Sequence, residues 1–170
     1  MQIFQTAGLI VRQFNMDDAD IFYLINSNEN VMRYIRPVKT RQQSDIFLEE
    51  NIKLYSKKTG TGRWAVQDID SGNVIGMFSL LPVDGNPGKL HIGYALLPSY
   101  WGKGYATILL KQGVNFFFSQ YAGTTLYAIT RSENVASEKV LQKCGFILMN
   151  SFGESENLWA LAKNAWLKVT

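Results

Sequence analysis

An α/β domain built on a partly antiparallel sheet is predicted by three features of this 170-residue chain. Two alternating apolar runs, residues 63–69 and 74–81, flank the turn residues Asp70-Ser71-Gly72-Asn73 and read as an antiparallel hairpin. After residue 90 the pattern becomes strand, helix, strand, helix, strand. Hydrophobic residues make up 46% of the chain and aromatic ones 13%, enough to bury a core within the usual size of one domain. Residues 1–170 are therefore expected to form a single domain, without repeats, low-complexity tracts or a linker.

Taken in order, residues 9–14 alternate apolar and polar side chains and read as a first strand. Asn15 or Asp17 caps a helix through Ile21, Phe22, Leu24 and Ile25. A further helical turn spans 31–35 and stops before Pro37, because the residue before a proline is driven out of the helical region. Residues 44–57 form a longer helix with Leu48, Ile52 and Tyr55 on one face, ended by Gly60 and Gly62. The hairpin strands follow, then a loop over 83–89 and a strand over 90–97. Residues 106–120 are helical, burying Ala106, Leu109, Leu110, Val114 and Phe117, with Gly113 costing the helix about 1 kcal/mol. A strand over 125–130 leads to a helix over 135–144, capped by Asn134 and closed by Gly145. Strands at 146–150 and 158–162 surround a polar loop at Gly153.

Composition excludes several classes of function. The net charge of +3, from 17 basic and 14 acidic side chains, contains no basic run that argues for nucleic acid. One histidine and one cysteine cannot form a His/Cys metal cluster, so no metal is expected. The lone Cys144 rules out an internal disulfide and suits a reducing compartment; it reads as a core residue. No run approaches the roughly 20 apolar residues of a membrane span, and the N-terminus lacks a charged signal-peptide start. The expectation is a cytoplasmic protein, monomeric or homodimeric.

The segment 94–107 carries the chemistry. An apolar strand runs through Leu96 and Leu97 into Pro98, then through Trp101-Gly102-Lys103-Gly104 directly into a helix beginning at Tyr105-Ala106-Thr107. Glycines bend the backbone and leave no Cβ beside their amides. The first turn of a helix adds unpaired N–H donors and the positive end of the macrodipole. Together they form a cradle for a phosphate or pyrophosphate. A dinucleotide fingerprint is excluded because its third glycine position holds Thr107, and no Walker A run occurs.

Trp101-Gly102-Lys103-Gly104-Tyr105-Ala106 resembles the acetyl-CoA loop of the GNAT N-acetyltransferases, with Trp101 in a place usually held by glutamine or arginine. The longer string from Ile92 to Thr107 is similar to the ribosomal-protein N-acetyltransferase branch. So is the pair Asn134-Val135-Ala136-Ser137 and Val140-Leu141-Gln142-Lys143-Cys144-Gly145-Phe146. Leu9-Ile10-Val11-Arg12 and Val31-Met32-Arg33-Tyr34-Ile35 extend the likeness over nearly the whole chain. The resemblance implies a mixed, mostly antiparallel sheet of six to seven strands flanked by helices. A parallel pair, the strands ending at Leu97 and beginning at Thr125, would splay to admit the cofactor. It implies that the amides of Gly102, Lys103, Gly104, Tyr105, Ala106 and Thr107 hold the pyrophosphate of acetyl-CoA, and that pantetheine pairs with the strand near Leu96 and Leu97. Trp101 lines the cofactor mouth or packs under the loop. Asn134 is a cofactor contact or a helix cap, and Lys103 a phosphate partner or a solvated loop residue.

The implied reaction is direct attack of a primary amine on the thioester. An α-amine with pKa about 7.7–8.0 is neutral to roughly a tenth or more at pH 7, whereas a lysine at about 10.4 is neutral to less than about one part in a thousand. An α-amine thus needs only a mild base. His91, the chain's only histidine, stands where relatives often carry glutamate, and is read as that base or as a solvent-facing strand histidine. A tyrosine used by many relatives to protonate the thiolate is replaced by Leu141, which moves that role to Ser137; its hydroxyl otherwise bonds locally in the helix. Glu49 and Glu50 read as a solvated face, while Glu154 and Glu156 lie where a cationic amine could approach. The acceptor is a protein N-terminus or a small-molecule amine, and a non-catalytic acetyl-CoA-binding module is the alternative of a different class. The acceptor-facing segments, 28–40 and 151–157, show no diagnostic pocket chemistry.

Overall fold

The computed structural model describes residues 1–56, 60–152 and 155–168. Its centre is an eight-stranded sheet in the order β1-β2-β3-β4-β5-β6-β8-β7. The strands are β1 (Gln2–Gln5), β2 (Leu9–Arg12), β3 (Gly62–Asp68), β4 (Val74–Val83), β5 (Asn86–Leu96), β6 (Thr125–Arg131), β7 (Ile147–Phe152) and β8 (Glu156–Ala162). Every neighbouring pair is antiparallel except β5–β6. Helices α1 (Ala19–Ser27), α2 (Glu29–Met32) and α3 (Arg41–Tyr55) follow β2; α4 (Tyr105–Gln120) and α5 (Val135–Lys143) flank β6, and α6 (Lys163–Trp166) follows β8.

The sheet thus has eight strands and not six or seven. The extra one, β1, is a four-residue edge strand that buries only Phe4, so it has almost no periodic signal of its own. It exists through its partner, with Gln2 opposite Arg12 and Gln5 opposite Ile10, and through Phe4 meeting Phe78 edge-on at 5.2 Å. The expected loop over 83–89 is a tight hairpin, because Val83 already faces Asn86 across Asp84-Gly85. Asp-Gly is a strong hairpin signal that Pro87 and Gly88 obscured. The first strand ends at Arg12, two residues early. There the guanidinium turns to Asp18, bonding both carboxylate oxygens at 2.8 Å.

Local chemistry accounts for the helix starts. Asn15 accepts from the Asp17 N–H to open a short 3-10 turn ahead of α1. Asn28 accepts from the Val31 N–H, which starts α2 two residues earlier than periodicity suggests. Thr40 and Gln43 form a reciprocal capping box at the head of α3. Lys57 and Gly153 lie outside the described residues.

The two faces of the sheet bury separate cores. On one, Phe78, Leu80, Ile92 and Leu96 meet Leu109, Leu110, Val114 and Phe117 of α4 and Leu141 of α5. On the other, Ala65, Met77, Ala95 and Leu97 meet Phe22 and Ile25 of α1 and Leu48 of α3. Cys144 packs in the first core, where burial pushes its thiol up to about 11, so it is unreactive at neutral pH. Gly113 has a packing role: a Cβ there would lie 2.6 Å from Phe78 and 2.8 Å from Ile92. Gly113→Ala therefore gains helix propensity but overpacks the helix–sheet contact. A net loss of about 1–2 kcal/mol is expected, read as a fall in Tm.

Candidate active site

The site forms where β5 and β6 part. They pair only at His91 with Tyr127 and at Ile92 with Ala128. Beyond these residues β5 runs four more to Leu96 and β6 three more to Arg131, with no ladder between them. On its other side β5 stays paired with β4, with Ser79 opposite Gly93, Phe78 opposite Tyr94, Met77 opposite Ala95 and Gly76 opposite Leu96. The Leu97 N–H donates to Ile75 O at 2.9 Å, so alternation turns the backbone groups of Tyr94 and Leu96 into the gap. The Leu96 N–H accordingly stands open there, whereas the Leu97 amide is already bonded and its side chain is core. Indole N–H of half-exposed Trp101 donates to Leu96 O at 2.7 Å, bracing the loop against the strand end.

A 3-10 turn at Pro98–Tyr100 delivers the chain to Gly102 and Gly104, both left-handed at φ 74° and 82°. Gly104 stands at the head of α4, which has no side-chain cap. The Thr107 and Ile108 N–H groups return to Gly104 O. Among the described residues, the amides of Gly102, Lys103, Gly104, Tyr105 and Ala106 find no acceptor. A Cβ at either glycine would meet nothing within 4 Å, so the loop is uncrowded at both positions. The Tyr105 hydroxyl donates to Asp68 at 3.1 Å and anchors the first residue of α4. Lys103 lies over the Tyr100 ring, 5.3 Å from its centroid. Unpaired amides at a helix N-terminus, beside two uncrowded glycines, suit a pyrophosphate.

Across the gap, Asn134 caps α5 by accepting from the Ser137 N–H at 3.2 Å. Tyr94 reaches from β5 toward the Ser137 side chain; burial pushes its phenol up and the nearby Ser137 hydroxyl partly offsets this. Leu141 is core, so α5 presents Ser137 and no tyrosine of its own. Strand alternation places Tyr94 on the α4–α5 face and His91, Gly93 and Ala95 on the α1–α3 face. His91 is half-buried. Burial lowers its pKa below 6.5, Asp84 opposes the shift and the charge of Arg63 adds to it, so the ring is neutral at pH 7. His91 and Ser137 therefore flank one gap from opposite faces.

Among the described residues no His/Cys/Asp/Glu group is arranged to hold a metal, and no helix is long and apolar enough to cross a membrane. The pattern of the acetyltransferase (GNAT) domain matches residues 8–147. The chain belongs to the GNAT family. It is an acetyl-CoA-dependent N-acetyltransferase. The uncharacterized N-acetyltransferase YoaA of Bacillus subtilis is 28% identical over 85% of this chain and 82% of its own length. RimL, a ribosomal-protein α-N-acetyltransferase solved in complex with coenzyme A, superposes with TM-score 0.82 at 16% identity, covering 97% of this chain and 99% of that one. A Vibrio cholerae spermidine N-acetyltransferase, in complex with CoA and spermine, gives 0.77 at 20% identity, covering 95% and 99%. Both share the GNAT fold seen here.

Two groups of side chains on or over the strands that lead into the β5–β6 gap had no signal in the sequence. Tyr94 looked like strand core. Arg36, Lys39 and Arg63 surround the Phe47 ring, with the charges 4.9, 4.9 and 5.1 Å from its centroid. These residues come from a loop, β3 and α3, and only tertiary folding joins them. Glu49 and Glu50 lie on the solvated face expected for them. Glu156 is a β8 residue opposite Arg131, and Glu154 lies outside the described residues.

Proposed function

We propose that residues 1–170 act as one cytoplasmic acetyltransferase domain whose acceptor is a primary α-amine, at a protein N-terminus or on a small molecule of similar basicity. The observation that carries this reading is His91: a half-buried, neutral imidazole at the closed end of the β5–β6 gap, where the two strands last pair. Such a weak base suits an amine of pKa about 8 and not a lysine or polyamine nitrogen of pKa about 10. The acetyl donor is acetyl-CoA, which supplies a thioester carbonyl open to attack. The amides of Gly102, Lys103, Gly104, Tyr105 and Ala106 line its pyrophosphate site; the Thr107 amide, expected among them from the sequence, is instead spent on Gly104 O in the first turn of α4. The backbone of Tyr94 and the N–H of Leu96 face the pantetheine arm, Trp101 holds the loop to that strand through Leu96 O, and Asn134 fixes the head of α5 beside it.

His91 receives the proton shed by the amine, directly or through one water, on the α1–α3 face. Ser137 donates to the departing sulfur on the α4–α5 face, with Tyr94 orienting its hydroxyl. The test is thiol release from acetyl-CoA across N-terminal peptides, small α-amines, lysine derivatives and spermidine. Release with α-amines well above that with spermidine is expected. Preference for spermidine overturns the reading, and tight acetyl-CoA binding without release for any amine leaves a binding module in its place.

A further inference from the structure

Arg36 and Arg63 are half-buried side by side, yet among the described residues neither forms an ion pair with a carboxylate. Arg36 Nη2 donates to Asn26 Oδ1 at 2.8 Å and approaches Met77 Sδ at 3.9 Å; its Nε is buried without an acceptor. Burial lowers the Arg36 pKa to about 10, and the charge of Arg63 adds to that. Lys39 is the third cation at the shared Phe47 ring. Glu50, which lines the adjoining open cleft of about 450 Å³, forms no ion pair with any of them. Charged side chains are seldom left this buried without a counter-charge, because desolvation is not repaid.

The position of the cluster is as informative as its charge. Met77, under Arg36, lies opposite Ala95 within the unpaired stretch of β5; Arg63 lies opposite Ser79, itself opposite Gly93. Both guanidiniums therefore stand over the sheet rows that lead into the gap, on the His91 face. A planar guanidinium fork matches a carboxylate, and a protonated polyamine would be repelled by it.

We infer that Arg36, with Arg63 beside it, is an acceptor-recognition site for a carboxylate carried close to the reacting amine. This rests on the acetyltransferase reading of the gap. The carboxylate belongs either to a free amino acid or to an acidic side chain at a peptide N-terminus, and two comparisons separate these sources. Free amino acids are set against their amides, with kcat/KM referred to the fraction of neutral amine because a free carboxylate raises the α-amine pKa, and peptides beginning with aspartate against peptides beginning with asparagine. The carboxylate member of one pair should show kcat/KM roughly tenfold or more above its neutral counterpart, as for a charge-assisted hydrogen bond. Arg36→Gln should bring that ratio toward one by raising KM, leave the KM for acetyl-CoA unchanged, and be partly rescued by Arg36→Lys. Binding to CoA-loaded protein reads the same preference without turnover, with N-acetylglycine set against N-acetylglycinamide for the α-carboxylate and N-acetyl-aspartate α-amide against N-acetyl-asparagine amide for the side-chain carboxylate. Ratios near one in both pairs and no selectivity in binding overturn the inference, as does selectivity that survives Arg36→Gln. Absence of thiol release with carboxylate-selective binding retained would instead sink only the acetyltransfer reading.

Discussion

His91→Gln is expected to lower kcat about a hundredfold or more at pH 7 while leaving acetyl-CoA binding near that of wild type. Glutamine keeps the size and hydrogen-bonding capacity of the side chain but cannot take up a proton. The pH profile separates a base from a merely packed side chain. Burial and Arg63 hold the wild-type imidazole pKa below 6.5 against the pull of Asp84, so kcat/KM should lose its acid limb only below that value. In the variant this limb disappears, and the rise toward pH 8 that remains belongs to the acceptor amine. Stability gives a second readout. A histidine whose folded pKa is depressed contributes stability that is intact above about 6.5 and is lost as pH falls through the folded value. The Tm of the wild type should therefore drop faster between pH 7 and pH 5 than that of His91→Gln. Equal kcat and matching pH profiles would remove His91 from the mechanism.

What could be read from the sequence, and what could not, divides by distance along the chain. The loop from Pro98 to Thr107 was legible because strand end, turn and helix start are contiguous, and each part has its own residue signature. Asn134 and Ser137 were legible for the same reason, lying within one capped turn. Strand β1 was not, since a four-residue edge strand is defined by what it pairs with. Tyr94 meets Ser137 only because β5 and α5 face one gap. Arg36, from the loop between α2 and α3, and Arg63, from β3, converge on Phe47 of α3, so residues 28–40 showed no pocket chemistry until folded.

Gly104→Val, or Gly102→Val, should weaken acetyl-CoA binding roughly tenfold to a hundredfold with little loss of Tm. Both positions are left-handed, where an L-residue costs about 1–2 kcal/mol, and more if β-branched. Space is not the obstacle, because a Cβ at either site meets no protein atom within 4 Å. The local loop can therefore relax its backbone without disturbing the core. Relaxation turns one or two amides away from the pyrophosphate, and each charged hydrogen bond lost is worth about 1.5–3 kcal/mol. The contrast with Gly113 sets the criterion. There the missing Cβ makes room for Phe78 and Ile92, and substitution should reduce stability with acetyl-CoA affinity nearly unchanged. At Gly104 the missing Cβ leaves room for a ligand, so calorimetric titration with acetyl-CoA should change while thermal melting barely does. A Gly104→Val protein that melts much lower yet binds acetyl-CoA as wild type does would show that the glycine serves the fold, and the loop would no longer be the pyrophosphate site.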